Sequence, residues 1–218
     1  MQGTAPIIRR GIPQGQPAAV PGMSDTQNWV WYDSQTAAAA GQSQLTFFQT
    51  PLGASGRTLE DTNFAGAGSL PAGMSFVLQE IMVNLIPGST VVPGTFGSGI
   101  APKYVNDVYA WNKAGVVQFN YSSKTYVQDS PIGRFPLDTR LIGFGVVADA
   151  TTAAASLQTL LDYAAPAGRL WRVADMRIDP QVNFNVTLSW PNGVVALPST
   201  VAGKAFVYLK GYLARFVQ

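Results

Sequence analysis

The chain has 218 residues and contains neither cysteine nor histidine. Without cysteine, a disulfide framework, thiol catalysis and thiolate metal sites are excluded; without histidine, the commonest general base and metal ligand is gone. Charge is scarce too. Charged residues make up 12% of the chain, about half the roughly 25% of an ordinary soluble domain. Fourteen basic and twelve acidic residues leave a net charge of +2, too weak a field to argue by itself for nucleic acid or an anionic membrane. No run of eighteen apolar residues occurs, and the polar, proline-containing start lacks the apolar stretch of a signal peptide. A soluble protein made in a cytoplasm is expected.

What is present is apolar residues (47%), 22 glycines and 15 prolines. The length suits one well-buried domain. With few charges to cover its outside, much of the surface is expected to be buried against other copies or other partners.

Residues 1–27 carry Pro6, Pro13, Pro17 and Pro21 with no sustained period, which predicts an extended arm ahead of a domain spanning 28–218. Within the arm, Ile7, Ile8, Arg9 and Arg10 are the candidate assembly or interior contacts. Trp29, Trp31 and Tyr32 suggest a short strand. Eight further segments read as strands: 44–49, 74–86, a hairpin of 117–121 and 126–127 about Ser122-Ser123, 141–148, 170–178, 182–190 and 204–217. The clearest is 182–190, where Val182, Phe184, Val186, Leu188 and Trp190 alternate with Asn183, Asn185, Thr187 and Ser189. Two segments read as helices, 153–164 on its Ala/Leu content and 102–115 on the face shared by Tyr104, Val108 and Trp111. Eight strands, two short helices in connections and frequent Pro/Gly turns predict an all-β fold: a single jelly roll of two facing antiparallel four-stranded sheets.

Tests for chemistry return little. A Ser-His-Asp arrangement is impossible, and Ser122, Ser123 and Lys124 read better as a turn than as a Ser-Lys dyad. Gly66-Ala67-Gly68 and the glycines of 94–99 lack the Lys-Ser/Thr of a phosphate loop. Glu80, inside an otherwise apolar strand, is read as the ion-pair partner of an arginine such as Arg172, Arg177 or Arg215 rather than as a catalytic acid. Glu60-Asp61 is the other carboxylate pair weighed. Asp175 with Asp179 reads as a salt bridge or turn rather than a cation site. Tyr208, Tyr212 and Phe216 share a strand face with Lys210, a stacking platform in outline, but core packing explains them better. No enzyme, metal or cofactor is expected.

The segments Asp61-Thr62-Asn63-Phe64, Leu70-Pro71-Ala72-Gly73, the hairpin 117–126 with Phe135-Pro136, and the closing strands 184–188 and 207–218 together resemble the jelly-roll major capsid proteins of tailless icosahedral bacteriophages. That resemblance implies strands B to I in two sheets, B-I-D-G and C-H-E-F, with helices in the C–D and F–G connections. It also implies a structural subunit of an icosahedral virion shell, made in a host cytoplasm and self-assembling around the genome, in some phages over a membrane. The implied partners are further copies as trimers or pseudo-hexameric tiles, other capsid proteins such as a vertex protein, and genome or lipid through the arm. The alternative is a carbohydrate- or receptor-binding jelly roll of a spike or fibre, using Trp111, Trp171 or Trp190 as a sugar platform.

Overall fold

The computed structural model describes residues 24–88, 107–135, 139–148, 157–166 and 171–216. Among these residues ten strands run in order: β1 (Ser24–Ala37), β2 (Gln44–Phe47), β3 (Met74–Ile86), β4 (Val116–Tyr121), β5 (Lys124–Asp129), β6 (Thr139–Ala148), β7 (Leu157–Pro166), β8 (Trp171–Ile178), β9 (Phe184–Ser189) and β10 (Gly203–Phe216). Eight of them form two facing four-stranded antiparallel sheets, ordered β1-β10-β3-β8 and β2-β9-β4-β5. With those eight lettered B to I along the chain, the orders become B-I-D-G and C-H-E-F, the jelly roll. Among the described residues β6 and β7 pair only with each other, as a hairpin inserted between β5 and β8.

The alternation of 182–190 is realised in β9, where Phe184, Val186 and Leu188 enter the core. Between the sheets, Phe64 packs its ring 5.3 Å from Trp31, 5.6 Å from Phe48 and 5.3 Å from Phe184. Edge-to-face contacts of this kind add to the area term that drives burial.

Three expectations change. First, the helix expected over 153–164 is not found where the chain is described: 157–166 is β7, and 153–156 lie outside the described residues. Ala and Leu favour helix only weakly, and short apolar runs fit either period, so pairing with β6 decides the outcome. Second, the Trp29–Tyr32 patch belongs to a 14-residue strand that starts at Ser24, inside the segment read as an arm. That strand is B. The segment 141–148, counted among the eight, belongs instead to the inserted hairpin. Third, the helix expected over 102–115 is seen at 107–112, in the β3–β4 (D–E) connection. The C–D connection holds only a short 3-10 turn, Ala54–Gly56.

One irregularity shapes the first sheet. The register of β10 against β3 slips between Lys210 and Gly211. There the Val77 carbonyl comes so close that a Cβ on residue 211 would lie 1.9 Å from its oxygen. Only glycine fits that approach.

Candidate functional site

Among the described residues, the densest polar constellation lies where the loop 48–73 crosses the edge of β1, which pairs there with none of the described strands. An unpaired strand edge invites foreign strands, and proteins cover such edges. Here that loop, together with Gln42, does so mainly through side chains. The Tyr32 N–H donates to Asn63 Oδ1 at 2.8 Å, and Asn63 Nδ2 donates to the Val30 carbonyl at 2.8 Å. Thr62 Oγ1 donates to the Tyr32 carbonyl at 2.9 Å, Arg57 Nη2 to the Ser34 carbonyl at 2.7 Å, and Gln42 Nε2 to the Thr36 carbonyl at 3.2 Å.

Asp33 anchors the arrangement from inside. Its side chain is fully buried, its Oδ2 accepts the Phe48 N–H at 2.5 Å, and its Oδ1 takes a short ion pair from Arg57. Burial pushes the Asp33 carboxyl above its ordinary value, opposed by the Phe48 hydrogen bond, Arg57 and Thr62. Phe48 has φ 67°, the left-handed region that a bulky side chain seldom occupies. The carboxylate thus holds the turn that launches the loop, and through Arg57 it also holds the loop's middle. Nearby, Lys204 on β10 donates to Asp61 at 2.8 Å. That contact, with the Thr58 N–H, lowers the Asp61 carboxyl to about 2. Ser34, Thr36, Ser55, Arg57, Asp61 and Lys204 border an open hollow of about 190 Å³. Its two cations already face two carboxylates, so the cluster acts as a clamp on the loop.

No protein-family model matches this chain, and no curated protein matches it in sequence. The site is therefore read from its own residues. Ile7, Ile8, Arg9 and Arg10 lie outside the described residues, as do the glycines of 94–99. Glu80 is buried on the outer face of β3, with Lys210 Nζ 3.1 Å from its Oε2; the partner seen is this lysine, while Arg172 stands opposite Glu80 in register on β8. Lys210 therefore lies in an ion pair beside the stacked rings of Phe206 and Tyr208, 5.9 Å apart. Glu60 is exposed, and Asp61 is taken up by Lys204. Asp175 accepts from Gln79, and Asp179 pairs with Arg177 at 2.8 Å. Among the described residues no three acidic side chains gather as metal ligands. Ser122, at φ 54°, occupies the β4–β5 turn. Of the tryptophans weighed as a sugar platform, Trp111 and Trp190 are 2% and 5% exposed and pack on each other in the core. Their faces are not offered to a ligand. No helix among the described residues is long and apolar enough to cross a membrane.

Asp33 was the residue to find from sequence. The alternation Trp29, Trp31, Asp33 turns a carboxylate inward on the same face as two tryptophans, and a buried carboxylate demands partners.

Proposed function

We propose that this chain is a structural, non-enzymatic subunit of an icosahedral virion shell that self-assembles around a genome. The strand order carries this reading: B-I-D-G facing C-H-E-F, with an extra hairpin between F and G. The sparse charge supports it, because a surface that meets neighbours over most of its area has little use for solvating groups. Further copies, as trimers or pseudo-hexameric tiles, are its main partners, with other capsid proteins at special positions such as the vertices. Residues 1–23, including Ile7, Ile8, Arg9 and Arg10, would bridge neighbours or touch genome or lipid beneath. The protein's place is then the virion, after synthesis in a host cytoplasm.

One fold hosts many activities, so the deciding measurement is the state of the full chain on its own and in particles. Electron microscopy of the purified chain is expected to show shells or regular tiles, and purified virions are expected to contain it in many copies. A monomer that never assembles, or a few copies per particle, would overturn the proposal.

A further inference from the structure

The two sheets treat their edges differently. The β1 edge is capped by Asn63, Thr62, Arg57 and Gln42, whereas β5 ends the second sheet with nothing bonded to its outer side among the described residues. Lys124, Thr125, Tyr126 and Gln128 are exposed, and Tyr126 retains 50% of its surface. An exposed edge carrying a large aromatic is a template for another strand.

We propose that β5 pairs antiparallel with β5 of a second copy, joining two C-H-E-F sheets into one continuous sheet across a two-fold axis. The charge pattern selects this occupant. The strand reads Lys-Thr-Tyr-Val-Gln-Asp, so reversing it against itself sets Lys124 of each copy opposite Asp129 of the other and Thr125 opposite Gln128. Lys124 has no ion-pair partner among the described residues. Asp129 Oδ1 accepts from the Ser130 N–H at 2.7 Å and from Arg134 Nη1 at 2.8 Å, while its Oδ2 accepts no hydrogen bond among the described residues.

Geometry adds a second condition, which the chain meets. A two-fold axis perpendicular to a sheet preserves its faces, so residues opposite one another must lie on the same face. In a regular strand, residues five apart lie on opposite faces. β5 is not regular. Phe119 pairs with Val127 and Asn120 with Thr125, which leaves Tyr126 as an extra, bulged residue. The bulge restores the match: Lys124 stands opposite Tyr121 and Asp129 opposite Val117, both on the core-facing side of β4. Tyr126 of each copy then meets Val127 of the other, on either side of the axis. A six-residue edge contact is small, so it is weak alone and gains strength by repetition. It does not depend on the shell reading, since a two-copy unit that never closes into a particle would keep it.

The absence of cysteine makes the test clean. Tyr126→Cys places one thiol per chain beside the axis, and Leu59→Cys, at a residue 64% exposed on another loop, is the control. Under mild oxidation Y126C is expected to give a disulfide-linked dimer in high yield and L59C much less. Lys124→Glu is expected to weaken self-association about tenfold, because two attractive cross-strand pairs become repulsive. Lys124→Glu combined with Asp129→Lys is expected to recover most of it. Sedimentation velocity reads the association, and circular dichroism confirms that each variant is folded. Cross-linking of Y126C no better than L59C, or folded K124E associating as wild type does, would overturn the β5 contact while leaving the shell proposal standing. Wild-type chain that associates through β5 but forms no shell or tile would do the reverse.

Discussion

The carboxylate of Asp33, fully buried on β1, accepts the backbone N–H of Phe48 at 2.5 Å and so holds a phenylalanine at φ 67°. The same side chain carries the charge that answers Arg57. One residue of the first strand therefore fixes how the 48–73 loop leaves the second.

Removing that carboxylate strands a largely buried guanidinium. Asp33→Ala is expected to cost about 3 kcal/mol, the usual toll of breaking one side of a buried pair. Denaturation in urea measures it. Asp33→Ala combined with Arg57→Met should be less destabilising than Asp33→Ala alone, because no orphan charge remains.

The two carboxylates of the clamp respond to pH in opposite senses. Asp61, lowered to about 2 in the fold by Lys204, contributes stability that is present above its unfolded value of 3.8 and is lost as pH falls from there toward 2. Asp33 is raised by burial, so the folded state holds its proton more tightly than the unfolded chain does. Its contribution is present below 3.8 and is lost as pH climbs through its raised value. Asp61→Asn should flatten the acid limb of a stability profile between pH 4 and 2. Asp33→Asn should flatten the decline above 3.8. An unchanged acid limb in D61N would refute the assignment.

Asn63 both accepts from Tyr32 and donates to Val30, which a carboxylate cannot do. Asn63→Asp keeps the acceptor, loses the donor and sets a charge against the Val30 carbonyl. A loss of about 1–2 kcal/mol is expected by thermal or urea melting. Light scattering should also show more aggregation than for an equally destabilised core variant, since the strand edge is uncovered.

Gly211→Ala drives a methyl group against the Val77 carbonyl. Overpacking against backbone leaves no side chain to yield, and roughly 3 kcal/mol should be lost. A melting temperature equal to wild type would show that the bulge can relax.

Much of this architecture is legible where burial and period coincide. Phe184, Val186 and Leu188 alternate with Asn185, Thr187 and Ser189 because one face of β9 meets the core and the other does not. β1 hides its length for the converse reason: Asp33 and Gln35 continue the inward row begun by Trp29 and Trp31, so polarity no longer marks the outer face. The stretch 157–164 reads as part of a helix over 153–164 because its Leu and Ala residues prefer a helix when considered alone, and pairing with β6 overrules them. The clamp at Asp33 could be suspected from a carboxylate on a tryptophan face. Its partners could not, since Phe48, Arg57 and Thr62 reach it by way of a loop whose path depends on the tertiary fold.

Fourteen antiparallel residue pairs join β1 to β10, whose other side pairs along most of its length with β3. A pull along these strands loads every cross-strand bond of β10 at once, whereas a pull across the five-pair β4–β5 hairpin opens it one rung at a time. Loaded along its strands, the first sheet is therefore stiff. A wall built from such units would bear tension best along β10 and give first at the short strands of the opposite sheet.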